Sequence, residues 1–273
     1  METNEELRAK YNPEGSDLRR AQLRMLDMLL YLDKVCKENE IEYWLGYGTC
    51  LGAVRHSGFI PWDDDLDICV FEKDFQRLKT ILLKEAHPLY QLQCKDTDTN
   101  FFQFWIRLKD IKSLASHSTK VGKKIDGLLK YKGLGIDIFP VSYNVSVPLN
   151  KLVSCRNWGF SVIAKFDSVM AVKMANIFYY IQKNIIKMCK IIRVNRKENV
   201  IRLDYGINAY FSHDKSIILP LRTICFEGSM FPVPCNVDLY LRSIYGNYMK
   251  LPPEEVRNHH NIESYTLFNG GNR

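Results

Sequence analysis

Residues 43 to 70 read Tyr-Trp-Leu-Gly-Tyr-Gly-Thr-Cys-Leu-Gly-Ala-Val-Arg-His-Ser-Gly-Phe-Ile-Pro-Trp-Asp-Asp-Asp-Leu-Asp-Ile-Cys-Val, and this stretch decides the fold. The apolar run Ile41 to Leu45 predicts a strand that ends in the small-residue turn Gly46-Tyr47-Gly48-Thr49. Thr49 to Arg55 then predicts a short helix, whose N-terminal amides and positive dipole end suit a phosphate. Pro61 and Trp62 turn the chain into Asp63, Asp64, Asp65 and Asp67, the last two set in the strand pattern Asp65-Leu66-Asp67-Ile68-Cys69-Val70. Residues two apart on a strand share a face, so Asp65 and Asp67 point one way while Leu66 and Ile68 enter a core. Carboxylates held side by side repel unless a cation lies between them, and Mg²⁺ takes carboxylate oxygens together with phosphates. The expected centre is a metal–phosphate site. Asp63 and Asp64 fit a solvated turn equally well.

A further carboxylate stands alone in Gly133-Leu-Gly-Ile-Asp-Ile-Phe-Pro140. Inside an apolar strand it must be paired or metal-bound, which singles out Asp137, and Pro140 is expected to end that strand. Arg107, in the strand Trp105-Ile-Arg-Leu-Lys-Asp110, fits either a donor phosphate or a solvated position. Asp96 and Asp98 sit in the polar turn 95–100 without strand neighbours and read as a loop.

Outward from this centre, Ser16 caps a predicted amphipathic helix over 16–39, and Glu72 to Ala86 predicts another. Strands are expected at Tyr90–Cys94 and Phe101–Leu108, and residues 111–132 read as a mobile loop suited to a lid. In the 148–202 segment, Ile177, Ile181, Ile185, Met188 and Ile192 recur at helical spacing, with Lys183, Lys187 and Lys190 on a different side. Such a helix either packs with a solvated lysine face or lies on an anionic membrane surface. Ile224 to Pro234 predicts a hairpin turning at Gly228, with Glu227 steadying the turn, followed by a helix from Val237. His259 and His260 read as a surface loop. The organisation is thus a catalytic core over 1–147, a basic helical insert over 148–202 and a C-terminal part, 203–273, that completes the first.

The totals agree with a packed chain: 46% of 273 residues are hydrophobic and 12% aromatic, which excludes disorder. No apolar run reaches the roughly 18 residues that span a bilayer, and the acidic N-terminus lacks a signal-peptide core. The expected location is therefore the cytoplasm, peripheral at the inner membrane face if the insert touches lipid. Eight scattered cysteines show no Cys-x-x-Cys or zinc spacing and read as free thiols. The net charge of +7 is concentrated: residues 151–202 hold eleven Lys or Arg against two acids. That segment carries no nucleic-acid-binding module, so no nucleic-acid partner is expected.

The run Gly-Tyr-Gly-Thr-Cys-Leu-Gly-Ala-Val-Arg-His, followed by Gly-Phe-Ile-Pro-Trp-Asp-Asp-Asp-Leu-Asp-Ile, resembles the LicD family, which includes fukutin and fukutin-related protein. Asp-Ile-Phe-Pro at 137–140, Phe-Glu-Gly at 226–228 and Tyr-Gly-Asn-Tyr-Met-x-Leu-Pro-Pro at 245–253 extend the likeness, which leaves 148–202 uncovered. The resemblance implies an α+β fold of the nucleotidyltransferase kind, with a mixed sheet flanked by helices. It also implies a phosphotransferase that moves a phospho-alcohol from a CDP-linked donor, CDP-choline first and CDP-ribitol or CDP-glycerol as alternatives, onto a cell-surface glycan. That acceptor would be lipid-linked, of the lipopolysaccharide or teichoic acid kind. Asp65, Asp67 and Asp137 would hold Mg²⁺ or Mn²⁺, with Asp137 alternatively the base. Gly48, Thr49, Arg55 and Arg107 would cradle the donor phosphates. The competing readings are nucleotidyl transfer from a nucleoside triphosphate, and a non-catalytic relative, against which all three carboxylates stand.

Overall fold

The structure is a computed structural model that describes residues 2–154, 165, 169–192, 199–257 and 262–268. The chain opens with α1 (Asn4–Tyr11), α2 (Asp17–Glu38), β1 (Tyr43–Leu45), α3 (Tyr47–His56), β2 (Asp67–Phe71) and α4 (Glu72–Lys84). Next come β3 (Tyr90–Gln93), β4 (Ile106–Asp110), β5 (Ser113–His117), α5 (Lys120–Leu128), β6 (Gly135–Tyr143), α6 (Val147–Ser154) and α7 (Val169–Ile192). The remainder supplies β7 (Val200–Leu203), β8 (His213–Asp214), α8 (Lys215–Ile218), β9 (Arg222–Phe226), β10 (Ser229–Val233), α9 (Val237–Tyr245) and β11 (Ile262–Leu267).

The expected α+β architecture is present. A seven-stranded mixed sheet runs β1-β2-β6-β4-β3, with β7 and then β8 continuing from the far half of β6. Strands β2 and β6 are parallel, and their register sets Asp67 directly beside Asp137. The antiparallel pairing of β4 with β6 sets Arg107 on the other side of Asp137. Ile68, Ile138 and Ile136 leave by the opposite face into the core, together with the buried stripe of α2 formed by Met25, Met28, Leu29, Leu32 and Cys36. Helix α2 begins where Ser16 Oγ accepts from the Arg19 amide, as its sequence indicates.

Several local expectations change. Pro140 does not end β6, which continues to Tyr143. On one edge β6 pairs with β4 up to Ile138 and with β7 from Val141 onward. The Pro140 carbonyl accepts from the Asp204 amide at 2.9 Å on that edge, so its missing N–H faces the junction between the two partners, where no ladder bond is lost. Strand β4 starts at Ile106, later than the expected Phe101. The 111–132 stretch is ordered: it holds β5 and α5, and β5 pairs with β11 near the far end of the chain. Helix α3 begins two residues early, with Gly46 at its cap.

In α7 the buried stripe is Ala171, Ala175, Tyr179, Gln182, Ile186 and Cys189, whereas Ile177, Ile181, Ile185 and Met188 face outward. The side chain of Ile192 lies outside the described residues, as do Cys155, His259 and His260. Lys190 is not a free surface charge, because it bridges Glu72 and Asp204. The seven other cysteines are free thiols.

Two buried histidines give the fold a pH dependence. His56 accepts from Arg55 Nε at 2.8 Å and hydrogen-bonds Asn4 at 2.6 Å, and burial, then Arg55 and Arg8, pushes it down to about 3. His213 lies under the Tyr240 ring, and burial pushes it down to about 4. Both are neutral when folded, so below pH ~6.5 the unfolded chain takes up protons that the native one refuses. Stability should therefore be full above ~6.5 and fall on acidification, by up to about 1.4 kcal/mol per pH unit for each histidine. His213→Gln should shrink the difference in urea stability between about pH 7 and about pH 5 by about 1–2 kcal/mol. An unchanged difference would show that His213 titrates normally.

Candidate active site

Asp67, Asp137 and Arg107 form one row across three neighbouring strands, all on the same sheet face. Asp67 opens β2, and its amide donates to Thr49 Oγ1 at 2.8 Å, so the turn after β1 fixes where the acidic strand begins. The Gly46 amide donates to the Asp67 carbonyl at 2.9 Å and locks the same junction from the other side. A Cβ at Gly46 would come within 3.0 Å of Cys69 Sγ, which explains the small residue at this cap. Asp65 lies just before the strand and is exposed, while Asp67 is half-buried behind it.

Asp137 is held by three donors. Arg107 reaches both of its oxygens, with Nη2 to Oδ2 at 3.0 Å and Nε to Oδ1, and the Trp105 indole donates to Oδ2 at 3.1 Å. Burial, then Asp65, Asp137 and Asp63, raises Asp67 well above the ordinary carboxylate range, with Arg107 pulling the other way. Burial disfavours the charge on Arg107, but Asp137, Asp67 and Asp65 hold it above its ordinary value. This is the electrostatic signature of a site short of positive charge.

Asp63 and Asp64 are buried rather than solvated. Asp64 accepts from the Tyr265 hydroxyl at 2.8 Å, which ties the acidic turn to β11. Asp63 packs on the first turn of α3, and a Cβ at Gly48 would lie 3.2 Å from its Oδ2. That helix end favours negative charge, and here a carboxylate of the chain itself is beside it. The Thr49 hydroxyl is engaged with the Asp67 amide. Arg55 is turned elsewhere: its guanidinium donates to His56 and to the Tyr248 carbonyl at 2.8 Å, and lies over Trp62.

In front of the row opens a cleft of about 160 Å³, lined by Asp65, Arg107, Lys109, His117, Tyr131 and Asp137. Burial, then Arg107, pushes the Lys109 ammonium down to about 8. An anion in the cleft would raise it again. The cleft is below the ~300 Å³ of ordinary small-molecule sites, a size that fits a transferred headgroup better than a whole nucleotide donor. Sequence reasoning missed Trp105, Lys109, His117 and Tyr131.

All available oxygen donors are hard, which suits Mg²⁺ or Mn²⁺ and not a thiophilic ion. Among the described residues no three acidic, histidine or cysteine side chains converge as placed on one ion position. The hydrogen bonds of Asp137 to Arg107 and Trp105 account for its orientation in this arrangement. The fit to a cation therefore rests on the Asp65–Asp67 pair and the raised Asp67.

Comparison with known proteins gives the same answer. Residues 40–146, from β1 to just past β6, match the family described as LicD/FKTN/FKRP, nucleotidyltransferase domain. The lipopolysaccharide cholinephosphotransferase LicD of Haemophilus influenzae is 30% identical, over 92% of this chain and 98% of its own length. The mouse ribitol-5-phosphate transferase FKTN is 33% identical over 23% of this chain and 14% of its own length. The human ribitol 5-phosphate transferase FKRP is 36% identical over 20% of this chain and 11% of its own. With likeness to a bacterial relative along nearly the whole of both chains, and the acidic row seated in the matched domain, this protein belongs to the LicD family and is a LicD-type phosphotransferase.

Proposed function

We propose that the protein transfers phosphocholine from CDP-choline to a hydroxyl of a cell-surface glycan, releasing CMP. The observation that carries this reading is the in-register pair Asp67 and Asp137, with Asp65 at the mouth, in a chain similar end to end to a cholinephosphotransferase. Asp65 and Asp67 would hold Mg²⁺ or Mn²⁺, with Asp137 either the third ligand or, kept on Arg107 and Trp105, the base. When bound, the ion would neutralise charge on the diphosphate and on the departing CMP.

The chain's own groups do the rest. The acceptor oxygen bonds to the phosphorus that carries the alcohol, the P–O bond to CMP breaks, and CMP leaves with the electron pair. The hydroxyl proton passes to a carboxylate of the row, with Asp137 oriented for it by Arg107 and Trp105. Arg107 and Lys109 provide positive charge beside the donor phosphates, and the turn at Gly48 and Thr49 acts by fixing where the acidic strand begins. Arg55 stands outside this set, as a strut between α3 and the Tyr248 carbonyl.

The ribitol-phosphate transferases that share the matched domain support a second donor, CDP-ribitol. Titration calorimetry with CDP-choline, CDP-ribitol, CDP-glycerol and CTP, each with and without Mg²⁺, separates the options. Mg²⁺-dependent binding of CDP-choline, lost in Asp65→Asn, is the expected result. Binding of another CDP-alcohol alone would move the donor, and CTP alone with pyrophosphate release would replace the reaction.

A further inference from the structure

Helix α7 carries two apolar stripes, and only one of them is used by the fold. Ala171, Ala175, Tyr179, Gln182, Ile186 and Cys189 are buried, Tyr179 stacking on Phe104 at 5.0 Å and Gln182 donating to the Val153 carbonyl at 2.7 Å. Met170, Met174, Ile177, Ile181, Ile185 and Met188 form a second stripe, spaced by three and four residues, that faces solvent. Met170 is 64% exposed, Ile177 59% and Met188 63%. At 3.6 residues per turn the two stripes lie roughly a third of a turn apart. The exposed one runs for about 27 Å of helix. Six large aliphatic side chains in one line are far more than the scattered apolar residues of an ordinary surface.

The third side of α7 is basic. Lys173, Lys183 and Lys187 are exposed along it, and the sequence of the helix, Val169 to Ile192, contains no Asp or Glu. Lys183 and Lys187 also line a notch of about 430 Å³ with Lys95 and with the ion pairs Lys79–Asp96 and Lys190–Asp204. This notch opens where β6 exchanges β4 for β7, so it is a product of the strand switch at Pro140. The Lys95 ammonium donates to the Thr99 carbonyl and to Asn176 Oδ1 at 2.7 Å, and stands over the Phe102 and Tyr179 rings. Burial pushes it down to about 8, and an anion in the notch would raise it again.

We infer that α7 is a membrane-docking helix: its Met and Ile stripe enters the headgroup–acyl boundary of an anionic bilayer while the flanking lysines meet lipid phosphates. An aliphatic stripe bordered by lysines and free of acids is complementary to that surface. It is not complementary to itself. Two copies paired through α7 would bring lysine to lysine without a carboxylate on the helix to answer them. No helix among the described residues is long and apolar enough to cross a membrane, so α7 lies on the surface and does not span it. The inference does not depend on which donor or acceptor the active site takes.

The test is co-sedimentation of the full chain with phosphatidylcholine vesicles and with vesicles that also contain phosphatidylglycerol. Two variants accompany it: Ile177→Gln/Ile181→Gln/Ile185→Gln for the stripe and Lys183→Gln/Lys187→Gln for the flank. These side chains are exposed, so circular dichroism and melting should match the parent. Binding to the anionic vesicles, weakened by salt and reduced at least about tenfold in each variant, is expected. Failure to bind anionic vesicles, or binding undiminished in the variants, would overturn the inference. So would a dimer in gel filtration that the stripe variant turns into monomer, since the stripe would then belong to a second copy.

Discussion

Asp67→Asn is expected to lower transferase turnover by about 10³-fold or more, roughly 4 kcal/mol of barrier, while raising the melting temperature of the metal-free protein. Both effects come from one carboxylate. Asp67 is pushed well up because it is buried and faces Asp65, Asp137 and Asp63, so its charged form works against the fold until a cation arrives. The sign follows from linkage: a carboxyl raised in the folded state binds its proton there more tightly than in the unfolded chain, so its contribution to stability declines as pH rises. Asparagine removes the charge, and with it the decline. Activity and stability thus pull in opposite directions at this residue, as they do at many catalytic positions. Turnover measured by CMP release, together with melting curves in EDTA between about pH 5 and about pH 8, checks both halves. A variant that loses activity and also melts lower across that range would mean that Asp67 supports the fold instead. Trp105→Phe gives the contrast: it deletes one hydrogen bond to Asp137 and should cost about 10- to 100-fold, the usual effect of a group that orients a ligand.

How legible this site was depended on whether a residue contradicted its surroundings. Asp67 and Asp137 stand out because a carboxylate amid Leu, Ile and Val has no packing use. That they are neighbours is a matter of strand order, which places β6 beside β2 across more than sixty residues and leaves no local trace. Trp105 agrees with the strand pattern of its sequence and so hid its bond to Asp137. The family resemblance put Arg55 on the donor phosphates, yet its guanidinium donates to a carbonyl of Tyr248, far along the chain. Helix α1 was readable and overlooked: Thr3-Asn-Glu-Glu6 is a capping box, and both of its reciprocal bonds form. The β5–β11 pair was not readable, since each strand is short and its partner distant. In α7 the period was plain but the face was not. Ala, Tyr, Gln and Cys, with Ile186, make the buried stripe and the remaining Met and Ile the exposed one, largely the reverse of what hydrophobicity alone assigns.

Glu227→Ala should destabilise the protein by about 3–5 kcal/mol, the range for removing one partner of a buried ion pair. Its carboxylate is 7% exposed and meets Arg19 at 2.8 Å and Arg8 at 3.6 Å, while also accepting from the Phe59 amide at 3.1 Å. The sequence suggested a residue that steadies a turn, and the backbone does take a left-handed φ of 48° there. The side chain does more, joining the β9–β10 hairpin to α1, to α2 and to the segment that leads into the acidic strand. Without it Arg19 keeps, among the described residues, the ion pair with the exposed Glu14 at 3.2 Å. Gly58 belongs to the same arrangement, because a Cβ there would fall 2.1 Å from Glu227 Oε1. Gly58→Ala must therefore displace the carboxylate, and in the Glu227→Ala background most of that penalty should vanish. A double-mutant cycle by urea denaturation reads the coupling, expected at about 1–3 kcal/mol. Additive effects would mean that Gly58 and Glu227 act separately. Full recovery of turnover in the folded fraction of Glu227→Ala would place this junction in the stability of the molecule and outside its chemistry.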